Sequence, residues 1–356
     1  MGNATHFFLG ANSGLGFQSL FESFRKTSKF HDLLILKGGP GCGKSTMMRR
    51  LGVTMEERGE QVEYLHCSGD PDSLDGVYFP QLRTAVVDGT APHIMEPKYP
   101  AAVERYVDLG RFYDIGAAKS VRGEIVRHTD ACSDAYRLAY RALGAVRQLE
   151  ENASELIRQG LDRDKLYKRT IGVIGREIRG KGNGAEDTYR YLGSVTCKGT
   201  VWRFDSVEQL CPRVYQLLDS AGIAAPLLEQ IHQAARERGF ACIVCPDAEH
   251  TDRLHHLLIP EIGVAFVTSK EGMEYPYDAY RRIHLDAMVD PQHKKRWKGR
   301  LKFMRKMTEV LREEGIGYLK EAKAAHDRLE AAYQTNLDFG GIDELTEREM
   351  NRILCY

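Results

Sequence analysis

The chain has 356 residues, 42% of them hydrophobic and 28% charged, with 50 basic residues balanced by 50 acidic ones. That is enough chain for two cores of ordinary size, and a formal charge of zero argues against generic electrostatic capture of nucleic acid. The opening MGNATHFFLG lacks a basic lead into an apolar run, and no stretch approaches membrane-spanning length, so the expected location is the cytoplasm and no membrane partner is expected.

In chain order, the first element with chemistry is the apolar run DLLILK (32 to 37), predicted as a strand, followed by GGPGCGKST and a helical pattern. Here GxxxxGK[ST], the Walker A or P-loop pattern, stands complete between strand and helix. Glycines let backbone N–H groups wrap a β-phosphate while the helix dipole points at it. The predicted phosphate-binding residues are Gly38, Gly39, Pro40, Gly41, Cys42, Gly43, Lys44, Ser45 and Thr46. Lys44 bridges the β- and γ-phosphates, and the Ser45 hydroxyl ligates Mg2+.

Next come the apolar run QVEYLHC, the turn-rich SGDPDSLDG and the apolar run RTAVVD, which ends in Asp88. Asp88 is the expected magnesium-shell carboxylate. From about Pro100 to Ile178 the pattern is helical, a cap over one sheet face, and KSVRGEIVR within it offers a lid over bound phosphates. His93, Lys119, Arg122 and Arg127 are candidate γ-phosphate sensors. A hinge is expected at RGKGNGAED, 179 to 187.

The chain then repeats itself. DGVYFPQLRTAVVDG (75 to 89) lies opposite HHLLIPEIGVAFVTS (255 to 269), and MEERGEQVEYL (55 to 65) opposite ARERGFACIVC (235 to 245), both 180 residues on. FFLGANSGLGFQSLFESF (7 to 24) pairs with RYLGSVTCKGTVWRFDSV (190 to 207) at a spacing of 183, so three residues are missing from the second copy. Carried inward, the two spacings place that loss on the phosphate loop, with PGCGKST facing only IAAP. Thr268 stands where Asp88 does, and Asp70 faces His250. Asp70, present only in the first copy, becomes the candidate for orienting a water or an acceptor hydroxyl. The eight cysteines are scattered, and Cys242 and Cys245 lie in an apolar run, so they are read as core residues rather than zinc ligands. The basic HKKRWKGRLKFMRK, 293 to 306, is read as a solvated helix face.

ILKGGPGCGKST, CSGDPDSLDGVYFPQL and VVDGTAPHIMEPKYP together resemble a little-characterised bacterial family of tandem-repeat P-loop ATP-binding proteins. The resemblance spans nearly the whole chain and implies ATP as the nucleotide. The expected fold is α/β, with two tandem P-loop NTPase-like domains, each a mainly parallel sheet with helices. They cover residues 1–182, with the intact loop, and 183–356, with a degenerate one. Relatives often keep a phosphate loop in the second copy, and this sequence departs from them at SAGIAAP. The leading expectation is Mg2+-dependent ATP hydrolysis or phosphoryl transfer at one site in the first repeat, with Lys44, Asp88 and Asp70 catalytic and Ser45 and Asp88 on the metal. The alternatives are a nucleotide-dependent switch that binds a protein partner and a kinase acting on a small-molecule acceptor.

Overall fold

The computed structural model describes residues 4–184, 186–335 and 337–355. The first half runs through β1 (Ala4–Phe8), β2 (Gly10–Ser13), β3 (Gly16–Ser19), α1 (Phe21–Thr27), β4 (Asp32–Lys37) and α2 (Lys44–Glu57). It continues through β5 (Val62–His66), β6 (Leu74–Phe79), β7 (Thr84–Asp88), β8 (Glu104–Asp108), α3 (Ile115–Ser120), α4 (Arg122–Arg158) and α5 (Arg163–Glu177). The second half follows as β9 (Thr188–Tyr189), β10 (Gly193–Thr196), β11 (Gly199–Trp202), α6 (Asp205–Leu210), β12 (Arg213–Leu218) and α7 (Ala224–Glu237). It ends with β13 (Ile243–Pro246), β14 (Leu254–Ile259), β15 (Val264–Ser269), β16 (Arg281–His284), α8 (Pro291–Gln334) and α9 (Phe339–Leu354).

Two six-stranded sheets result, ordered β1-β5-β6-β7-β4-β8 and β9-β13-β14-β15-β12-β16, so the same order is built twice. In each sheet the pairs around the strand next to the β8 or β16 edge, β7-β4-β8 and β15-β12-β16, are parallel, while β5-β6-β7 and β13-β14-β15 are antiparallel. The turn-rich segment after β5 accounts for the antiparallel part, because it is too short for the helical crossover that a parallel return requires.

Strand alternation distributes the apolar residues. Leu34 and Leu36 of β4 face a core with Met47, Met48 and Leu51 of α2, while Leu33 and Ile35 face the opposite way. That opposite side is a middle layer shared by both sheets: Leu33, Ile35 and Val87 lie in one cluster with Leu258, Ala265 and Val267, and α1 and α6 contribute Phe24 and Val207, with Phe204 just before α6. Cys242 and Cys245 fall in different apolar layers, as their three-residue spacing along an extended run dictates, and so do not share a ligand position.

The outer faces are covered in exchange. Ile342, Leu345 and Ile353 of α9 pack on the first sheet, and Leu166 and Val173 of α5 pack on the second. The expected cap therefore exists, but each half wears the other's. Between them α4 and α8 run antiparallel, with Leu143 against Gly315 and His293 Nε2–H donating to the Leu156 carbonyl at 2.7 Å. A Cβ at Gly315 would lie 3.2 Å from Leu143, so this close helix approach favours glycine.

Residues 179–187 are not a free hinge. The Gly182 and Gly184 N–H groups donate to the Arg238 and Gly239 carbonyls, and Asp187 accepts from Cys242 N–H at 2.9 Å; Ala185 lies outside the described residues. Equivalent residues meet where the halves join: Phe8 and Tyr191 exchange backbone hydrogen bonds of 2.9 Å each way. Beside them the fully buried Arg190 pairs with Glu63 of β5 at 2.5 Å and stacks over Phe24. Arg190→Ala would leave Glu63 as an unpaired buried charge, and an expected loss of about 3–5 kcal/mol should appear in urea unfolding as an earlier midpoint for the whole chain.

Candidate functional site

Strand β4 carries the chain into residues 38–43, and α2 starts at Lys44. Gly41 and Gly43 have φ of +76° and +78°, backbone that glycine adopts without strain. The loop has close neighbours. A Cβ at Gly39 would approach the Tyr113 hydroxyl to 2.8 Å, and one at Gly41 the Glu330 carbonyl oxygen of α8 to 3.1 Å. Tyr113 also donates its hydroxyl hydrogen to the Pro40 carbonyl, 2.9 Å away. Cys42 is buried beneath the loop, and burial raises its thiol pKa, so it packs as an apolar side chain.

Lys44 and Asp88 come together. The Lys44 ammonium donates to the Gly38 and Gly39 carbonyls, at 2.8 and 3.0 Å, and stands 3.6 Å from Asp88 Oδ2. Asp88 ends β7 in register with Leu36 of β4, which sets it at the same sheet edge as the loop. Its Oδ1 accepts from the Thr90 N–H at 2.8 Å and the Thr90 hydroxyl at 2.6 Å. The Ser45 hydroxyl oxygen accepts from Leu74 N–H at 2.9 Å, and Thr46 is exposed on the first turn of α2.

Of the candidate sensors, only His93 belongs to this group. Its Nε2 lies 3.2 Å from Asp75 Oδ2, and both side chains are almost wholly buried. Burial opposes a charge on the ring, but the Asp75 and Asp88 carboxylates outweigh it and raise the His93 pKa. The contact is at ion-pair distance without hydrogen-bond alignment, and Asp75 Oδ2 and His93 Nδ1 make no hydrogen bond among the described residues. Asp75 is a buried acidic residue of this group that the sequence comparison passed over. It faced His255 there, just as Asp70 faced His250, but only the start of β6 at Leu74 turns it towards Asp88.

Asp70 goes elsewhere. It accepts from the Ser73 hydroxyl and the Asp72 N–H, both at 3.2 Å, and pairs with Lys323 of α8 at 3.3 Å, as a turn residue tied to a helix. No contact joins it to Lys44 among the described residues. Lys119, Arg122 and Arg127 are exposed on α3 and the first turns of α4, where Arg127 meets His128.

The second copy's loop corrects the sequence alignment. Leu217 pairs with Thr268 as Leu36 pairs with Asp88, and α7 begins at Ala224 as α2 begins at Lys44. Two of the three missing residues are therefore lost before β12, and the loop itself, 219 to 223 against 38 to 43, is one residue shorter. Apolar residues recur in both strands at several registers, so the sequence alone does not fix where the residues are lost. Gly222, with φ of +66°, keeps the left-handed turn of Gly41. Asp219 stands in the place of Gly38. Its carboxylate is buried and accepts from Ala221 N–H at 3.0 Å and from Ala224 N–H, at the start of α7, at 2.7 Å. The backbone donors that would meet an anion already have one. Thr268 does take the place of Asp88, and its hydroxyl donates to the His255 carbonyl at 2.5 Å.

The raised pKa of His93 has a consequence for stability. A raised folded-state pKa means that the pairing is fully present below the unfolded value of about 6.5 and is lost as pH rises through the folded value. The difference in urea midpoint between the natural chain and His93→Gln should be larger near pH 6 than near pH 9. Comparison of the chain with protein-family models, with curated proteins and with solved structures finds no match.

Proposed function

We propose that the chain is a P-loop ATP-binding protein that hydrolyses ATP, or transfers its γ-phosphoryl group, at one site in the first of two tandem NTPase-like repeats. The observation that carries this is the loop between β4 and α2, with the Lys44 ammonium 3.6 Å from Asp88 across left-handed glycines. In the proposed mechanism the N–H groups of residues 41 to 46 surround the β-phosphate. Lys44 exchanges the Gly38 and Gly39 carbonyls for β- and γ-phosphate oxygens, replacing weak acceptors by charged ones. Ser45 and Asp88 would hold Mg2+, which neutralises charge on the transferring phosphate. The donor set suits it: a hydroxyl and carboxylates, all hard oxygens, with the buried Asp75 Oδ2 lacking a hydrogen bond nearby. The Asp75 and Asp88 carboxylates favour the charged form of the His93 ring beside them.

A switch reading has its own support. Glu330 of α8 and Ile342 of α9 lie against Gly41 and Gly43, so nucleotide in the cradle would press on a 44-residue helix that reaches the far end of the molecule. A slow turnover that no small molecule stimulates would favour the switch. Stimulation by an acceptor would favour a small-molecule kinase.

Lys44→Ala should abolish hydrolysis in a phosphate-release assay, and turnover equal to the natural chain's would overturn the assignment. Asp88→Asn should weaken magnesium dependence far more than Thr268→Ala does. Calorimetry should give close to one ATP per chain, because the Asp219 carboxylate holds the second loop's donors; two equivalent sites would contradict the single-site reading.

A further inference from the structure

The chain's balanced charge conceals a local excess. Residues 293 to 308 carry eight basic side chains and no acidic one, and residues 163 to 181 carry seven against two. The two segments are far apart in sequence, but the fold starts both helices from one junction. Leu161 bridges Val289, the Asp162 N–H donates to the Met288 carbonyl, and the Asp290 N–H donates to the Gly160 carbonyl, the last two at 2.9 Å. Lys165 of α5 reaches across to the Ala287 carbonyl at 3.3 Å. Asp162 and Asp290 cap α5 and α8, so their carboxylates are engaged with helix N–H groups.

The charges are presented to solvent. Lys295, Lys298 and Lys302 recur at three- and four-residue spacing along one face of α8, and Lys168 and Arg169 are exposed on α5. Among the described residues none of these five has an acidic partner, whereas Arg305 nearby is held by Glu271 at 2.6 Å. Two large rings stand among them: Phe303 is 61% exposed and Tyr167 57%. Ammonium and guanidinium groups that repel one another are costly to gather without a polyanion to receive them. Isolated exposed rings among basic side chains suit a single strand, which offers phosphates to the cations and bases to stack, better than a lipid surface, which calls for a continuous apolar stripe.

We propose that α5 and the N-terminal half of α8 form a binding face for single-stranded nucleic acid, with phosphates on the basic side chains and bases stacked on Tyr167 and Phe303. This face is separate from the nucleotide loop, which lies under the opposite end of α8. The test is fluorescence anisotropy of a labelled single strand of about 20 nucleotides with the full-length protein. Lys295→Ala, Lys298→Ala and Lys302→Ala combined should weaken binding at least about tenfold at low salt and make the salt dependence shallower by about two in the log–log slope. Phe303→Ala should weaken it about tenfold with the slope unchanged. Lys44→Ala should bind the strand like the natural chain, so failure of the nucleotide-site reading leaves this result intact. All the substituted side chains on α8 are exposed, and circular dichroism should show unchanged folding. Absence of binding at low salt, equal affinity of the triple variant, equal or tighter binding to duplex, or binding to phosphatidylglycerol vesicles in preference to the strand would each overturn the proposal.

Discussion

The apolar layer between the two sheets is the constraint from which the other arrangements follow. Strands β4 and β7 send alternate side chains into it from one side, β14 and β15 from the other, and Phe24 of α1, Val207 of α6 and Phe204 just before α6 fill it. Removing either sheet would expose the facing half of this layer, at a rate of about 25 cal/mol for each Å2 of apolar surface. With their inner faces thus committed, both sheets must find helices for their outer faces, and α2 and α7 each cover only part. The long antiparallel pair α4 and α8 carries the chain past its own half, so that α5 and α9 complete the opposite sheets.

This exchange has a chemical result. The glycine loop faces neither open solvent nor its own tail but the end of α8 and the start of α9, elements from the far end of the sequence. Tyr113, which bonds Pro40, also contacts the Tyr333 ring of α8, with centroids 5.1 Å apart. The loop thereby touches a helix whose other end belongs to the basic face.

The two loops show how one backbone arrangement serves opposite ends. In each, a strand ends, a left-handed glycine turns the chain, and a 14-residue helix points its N-terminus inward. In the first copy the place beside the turn is Gly38, which has no carboxylate to offer, and Lys44 rests on the Gly38 and Gly39 carbonyls. In the second it is Asp219, whose buried carboxylate takes the N–H groups itself. A short covalent tether makes that internal anion hard to displace, since its effective concentration beside the donors is far above that of any free anion. In the second loop the Ala221 and Ala224 N–H groups are thus satisfied from within the chain.

Much of this was legible in the residues. Apolar runs such as DLLILK and RTAVVD announce buried strands because no other element needs so continuous an apolar segment, and the complete GxxxxGK[ST] between strand and helix locates the loop, since its glycine spacing admits few backbones. The order repeated at 180 to 183 residues likewise anticipates two sheets of one strand order. The register of the degenerate loop was not legible, because Leu, Val and Ile repeat at every second place in both strands and tolerate a slip that only the hydrogen-bond ladder resolves. Nor was the choice of Asp75 over Asp70. Both are acidic residues of one turn, and which of them faces Asp88 depends on where β6 begins. The exchange of α5 and α9, and the meeting of two basic segments more than a hundred residues apart, were decided by tertiary structure alone. Helical periodicity tells which face of a helix is apolar but not which sheet it will cover; that depends on the length and direction of α4 and α8, and on which apolar surface their ends can reach.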